Sequence, residues 1–177
     1  RITMAKKSPE SKLPSPSPAL PSPDLARAEK LILDLLPIPG KSGEEGKVAE
    51  FIRQQLLAAG ADEKAITFDN ANRTTLIKGE IGNLIFKLPG TKKAPRRMLS
   101  AHMDTVPICV GCQPVVDGDY VKSANPTTGL GGDDRAGAAT VLTAALEILR
   151  QKLPHPPLTF CWFIQEEIGL QGSRCLQ

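Results

Sequence analysis

Aromatic side chains are scarce: the 177 residues include one Trp, one Tyr and five Phe, and only two residues are His. A nucleic-acid groove needs basic residues interleaved with stacking rings. Here the formal charge is only +3 and the basic residues are spread along the chain, so no nucleic-acid partner is expected. No apolar run is long enough to cross a bilayer, and the charged-then-apolar opening of a secretory signal is missing. A soluble, cytoplasmic protein without membrane contact is the expectation. Cysteine is sparse and uneven: Cys109, Cys112, Cys161 and Cys175 outline no disulfide framework and fit reduced thiols. Cys109 and Cys112 have the spacing of redox and zinc pairs. No second pair, and no histidines at ligand spacing, accompanies them, so ordinary loop thiols are the simpler reading.

Proline, by contrast, is concentrated at one end. Residues 1–23 hold six of the sixteen prolines and almost nothing apolar, which predicts a disordered Pro/Ser-rich leader. Residues 24–177 are long enough for one folding unit. Leu25, Ala28, Leu31, Ile32 and Leu35 recur at helical spacing until Pro37 and Pro39. A second helix follows, with Ser42 and Glu45 as a candidate capping box, Val48, Phe51, Ile52 and Leu56 facing inward, and Gly60 at its end. Strands are predicted over 83–88, 96–101 and 158–164, a hairpin over 115–123 turning at Asp117 and Gly118, and a long helix over about 135–152. Helices alternating with buried strands indicate an α/β fold with a mixed, largely parallel sheet flanked by helices. Ligands in such folds collect at the carboxyl ends of strands.

Three polar clusters fall at that edge. "SAHMDTVP" (100–107) puts His102 and Asp104 on one face of an extended chain, with Met103 on the other, so the carboxylate can orient the imidazole. "GLGGDDRAG" (129–137) sets Asp133 and Asp134 before the long helix, and "QEEIGLQGS" (165–173) sets Glu166 and Glu167 after the last strand. Each alone has an ordinary reading as a packed histidine, a helix cap or a solvated turn. Together they point to one site. His155, in a proline-bounded loop with no acid near it in sequence, reads as a structural or surface residue. Histidine plus carboxylates suits zinc or a similar divalent ion, and a carboxylate that binds no metal is available to take a proton from water.

With "PGKSGEEGKVAEF" (39–51) as an opening block, these segments resemble the dinuclear zinc hydrolases that include peptidase T, bacterial carboxypeptidases and relatives of aminoacylase, with peptidase T-like tripeptide aminopeptidases nearest in wording. The resemblance covers residues 24–177. It implies two Zn2+ ions per complete site, replaceable by Co2+ or Mn2+, with His102 on one metal and Asp104 supporting it. It further implies Asp133 as bridge, Asp134 as support for the turn, Glu167 on the other metal and Glu166 as general base. Arg135 stands where relatives often have lysine, a departure expected to leave the metal site intact. The implied substrates are short peptides, or alternatively N-acyl amino acids or carboxypeptidase substrates. A non-catalytic binding module is a reading from another class, and the retention of a base beside the ligands argues against it. Family members complete the metals with an acid and a histidine that would lie past Gln177, and they carry a second domain for dimerisation and substrate. "GLQGSRCLQ" reads as a loop entering a helix cut in its first turn. The expectation is thus the N-terminal part of a longer, homodimeric enzyme, inactive as this piece alone.

Overall fold

Asp24 caps the first helix: its carboxylate accepts a hydrogen bond from Arg27 N at 3.0 Å. Helix α1 (Leu25–Leu35) buries Leu31 and Leu35 and stops at Pro37, which has no N–H to continue the helical hydrogen bonds. The computed structural model describes residues 21–176, and residues 1–20 of the expected leader lie outside the described residues. Helix α2 (Gly46–Ala58) buries Val48, Ala49, Ile52 and Leu56. It ends in a Schellman motif, with Ala61 N donating to Leu56 O at 3.0 Å and Gly60 N to Leu57 O at 2.9 Å, and Gly60 at φ +92. The start of α2 departs from expectation. Ser42 and Glu45 form no capping box; Glu80 Oε2, from far along the chain, accepts from Gly46 N at 3.1 Å. The side chains of Ser42 and Glu45 are engaged elsewhere, on residues at the ends of two strands.

Four strands, β1 (Ile66–Phe68), β2 (Leu84–Leu88), β3 (Arg97–His102) and β6 (Leu158–Phe163), form one sheet in the order β1-β2-β6-β3. The hairpin β4 (Pro114–Asp117) and β5 (Tyr120–Ser123) stands apart as a two-stranded sheet, turning through Gly118 at φ +62. Helix α3 (Gly132–Gln151) connects the hairpin to β6, and the short α4 (Gln171–Arg174) follows. The expected mixed sheet with flanking helices is present, but its parallel part is smaller than anticipated. Only β3–β6 is parallel; β1–β2 and β2–β6 are antiparallel. The path from β3 to β6 contains α3 and so permits that pair to run parallel, whereas β2, joined to β3 by a short connection, runs the opposite way and is antiparallel to β6.

Three of the seven aromatic residues stack in the core, whereas Phe68 and Tyr120 are exposed. Phe86 on β2 lies opposite Phe160 on β6 with ring centroids 5.8 Å apart, and Phe160 stacks at 6.4 Å on Trp162. Trp162 Nε1 donates to Ala138 O of α3 at 3.2 Å, which satisfies the indole inside the core. Leu142, Ala145 and Leu146 of α3 complete the buried face. All four cysteines are free thiols, and burial pushes Cys161 up to about 12. His155 sits in the loop before β6, beside the start of β3 and at the opposite end of that strand from His102, and its carbonyl accepts from Thr91 N and Lys92 N. Among the described residues no helix is long and apolar enough to cross a membrane.

Candidate functional site

The parallel pair β3–β6 ends level, because His102 is the register partner of Phe163. The strand ends and the N-terminus of the crossover helix therefore share one edge. His102, the last residue of β3, is 8% exposed. Met103 points into the core, as alternation predicts, and donates its N–H to Phe163 O at 2.8 Å. Asp104 returns to the site side with no exposed surface.

The Asp104 carboxylate is a hub. Its Oδ1 lies 3.3 Å from His102 Nδ1, which also meets the Asp104 backbone carbonyl at 3.1 Å, and the carboxylate accepts from Ser42 Oγ (2.6 Å), Glu166 N (2.9 Å) and Glu167 N (3.2 Å). Burial would raise its pKa, but these donors outweigh burial and hold the carboxyl below the usual range. Burial likewise pulls His102 down, yet the hydrogen bond and charge of Asp104, with the charges of Asp134 and Glu166, carry it up to about 9. With Nδ1 turned to Asp104, Nε2 faces Asp133 Oδ1 at 3.1 Å and Glu166 Oε2 at 3.6 Å.

Regular helical geometry in α3 is delayed past its first residues: Asp133 and Asp134 have non-helical φ/ψ, and Gly131 before them is left-handed at φ +77. The two acids divide. Asp133 is exposed toward His102, whereas Asp134 accepts from Gly137 N at 2.9 Å and from His102 N at 3.3 Å, fastening the helix start to the end of β3. Arg135 is almost fully buried, and its Nη2 donates to Ile38 O (3.1 Å) and Gly40 O (3.4 Å), bracing the loop that carries Ser42 and Glu45. Burial lowers it to about 10, still protonated at neutral pH.

His102, Asp133 and Glu167 each offer one ligand atom within 4.8 Å of the others. Burial, together with the charges of Asp133, Asp104 and Glu166, raises the Glu167 carboxyl despite the opposing charge of His102. One imidazole and a crowd of carboxylates at a strand-end edge fit a borderline divalent cation. The structure thus brings together His102, Asp104, Asp133, Glu166 and Glu167. It adds two residues that were read from the sequence only as a helix cap, Ser42 on Asp104 and Glu45 on Gln165 N at 3.0 Å. Their signal was the "PGKSGEE" block itself, whose spacing suits a local cap and a distant partner equally. A groove of about 500 Å³ lies between α1 and α3, and its mostly apolar lining offers no comparable chemistry.

The Bacillus subtilis protein YqjE is 33% identical over 145 residues, covering 81% of this chain and 37% of its own length. A tripeptidase from Staphylococcus aureus superposes with a TM-score of 0.78 at 30% identity, over 88% of this chain and 40% of the other. The aminopeptidase PepT from Bacillus cereus gives 0.77 at 26% identity with the same coverages. The chain therefore spans well under half the length of each of these relatives. Residues 83–177, which contain the ends of β3 and β6 and the start of α3, match the model of peptidase family M28, and the chain belongs to that family.

Proposed function

We propose that this chain supplies the metal-holding part of a peptidase active site that cleaves short peptides, with a pair of zinc ions as the resident metals. The observation that carries the reading is the convergence of His102, Asp133 and Glu167, drawn from three distant segments, with the carboxylate of Glu166 beside them. The tripeptidase and aminopeptidase identities of the two superposed structures support the substrate class. His102 Nε2, Asp133 and Glu167 would hold the metal, Asp133 being the bridge. A bound divalent cation supplies Lewis-acid polarisation of the scissile carbonyl and lowers the pKa of a neighbouring water toward about 7. Asp104 fixes the imidazole through Nδ1 and so keeps Nε2 aimed at the cluster. Glu166 needs no place among the ligands, so it takes the proton of the attacking water and returns it to the leaving amine.

The test uses the full-length protein. Glu166→Gln is expected to retain zinc by elemental analysis while tripeptide hydrolysis falls on the order of a hundredfold or more. Asp133→Asn is expected to lose zinc and activity together. Unchanged hydrolysis in Glu166→Gln would remove the base assignment, and a preference for N-acetyl amino acids over tripeptides would move the enzyme to the amidohydrolase branch.

A further inference from the structure

Gln165 links β6 to the paired glutamates, and its backbone is left-handed at φ +51 although it is not glycine. Such a conformation persists only where the surroundings over-determine it. Here they do. Gln165 N donates to Glu45 Oε1 at 3.0 Å, its Nε2 donates to Ile77 O at 3.1 Å, and its carbonyl accepts from Gln171 N at 3.0 Å. Glu45 is itself fully buried, and the same Oε1 accepts from Gly43 N at 2.8 Å. The turn at Gln165 delivers Glu166 N and Glu167 N to the two oxygens of Asp104, whose second oxygen also accepts from Ser42. One loop, residues 40–45, thus grips both strand ends: β3 through Ser42 on Asp104, and β6 through Glu45 on Gln165. The loop is tied down by Thr105 N on Gly40 O at 3.0 Å, by Arg135 Nη2 and by Glu80 N on Gly43 O at 3.0 Å.

We propose that Glu45 is a positioning residue that sets the aim of Glu166 and Glu167 by holding the backbone of Gln165, without touching substrate or metal. This rests on the reading of Glu166 and Glu167 given above. Glu45 provides a side-chain acceptor for the backbone N–H groups of Gly43 and Gln165, so an amide side chain can replace it and an alkyl side chain cannot.

In the full-length protein, Glu45→Gln is expected to keep kcat within threefold. Glu45→Leu is expected to lower kcat at least tenfold with KM within twofold. Amide hydrogen exchange of the metal-free protein gives a second readout: Glu45→Leu speeds exchange in residues 165–168, where Asp104 protects two N–H groups, and leaves β6 at its wild-type rate. Should Glu45→Leu fail to fold, position 165 carries the test. Gln165→Gly, which accepts a positive φ, is expected to keep kcat within threefold, and Gln165→Val, which resists it, to lose at least tenfold. Wild-type kcat and wild-type exchange in Glu45→Leu, or equal kcat in the Gly and Val variants, would overturn the assignment of Glu45. Full activity in Glu166→Gln would overturn the underlying site reading instead, so the two failures are distinguishable.

Discussion

Two buried carboxyls within one loop's reach behave in opposite ways, and the difference lies in their partners. Asp104 is surrounded by the His102 imidazole, a hydroxyl and two backbone donors, and its pKa falls. Glu45 has only backbone donors, which do not offset burial, and it rises to about 7. The sign of the consequence follows. Below pH 4.5 the Glu45 carboxyl is protonated in both folded and unfolded chains; between 4.5 and 7 only the unfolded chain ionises, so stability falls as pH rises; above 7 the loss is complete. The loss amounts to roughly 3 kcal/mol at most. Urea melts of metal-free protein at pH 5 and pH 8 should show a drop that Glu45→Gln reduces; an identical drop in that variant would assign it to other groups. At this scale the sequence was informative where a role is set by immediate neighbours. Alternation put His102 and Asp104 on one face and Met103 on the other, which proves to be the core side, and Asp134, implied by the resemblance as support for the turn, accepts from Gly137 N at the helix start. Ser42 and Glu45 were not readable, because their partners, Asp104 and Gln165, are remote in sequence and become neighbours only when the strands pair.

The β3–α3–β6 crossover is the element that makes the site, since it supplies the end of one strand, the start of a helix and the end of the next strand at a single edge. Its stability rests on the face of α3 that covers the ring stack. Leu142 has no exposed surface, so Leu142→Ala should cost about 2–5 kcal/mol, measured as a shift in urea midpoint at constant slope. Thr140→Ala, at an exposed position of the same helix, should stay within about 0.5 kcal/mol. Equal effects at the two positions would mean that the covering face is misassigned. Both strands of the crossover and the helix between them were visible in the sequence: β3 as a short strand candidate, β6 as a continuous apolar run and α3 as a long apolar helix. Strand β1 was not: three residues with only Ile66 buried are too few to show a period. The antiparallel share of the sheet was likewise hidden, because β2 pairs with β6, a strand far away in sequence.

For the molecule as a whole, a cation that binds the folded chain and not the unfolded one must raise its melting temperature. At a hundredfold excess over Kd the gain is about 2.7 kcal/mol, or roughly 5–10 °C for a domain of this size. Scanning fluorimetry of the full-length protein with Zn2+ and then EDTA should show that rise and its reversal in the wild type and in Glu166→Gln, and its absence in Asp133→Asn. A rise of equal size in Asp133→Asn would detach the metal from this cluster. The hydrogen-bonded ladder between β3 and β6 acts as a ruler for this chemistry. Slipping it by one residue would turn Trp162 out of the ring stack and carry both glutamates about 3.3 Å along the strand. That is nearly the whole gap of 3.6 Å between His102 Nε2 and Glu166 Oε2, so the pairing that holds the sheet together also sets how far the proposed base stands from the proposed metal ligand.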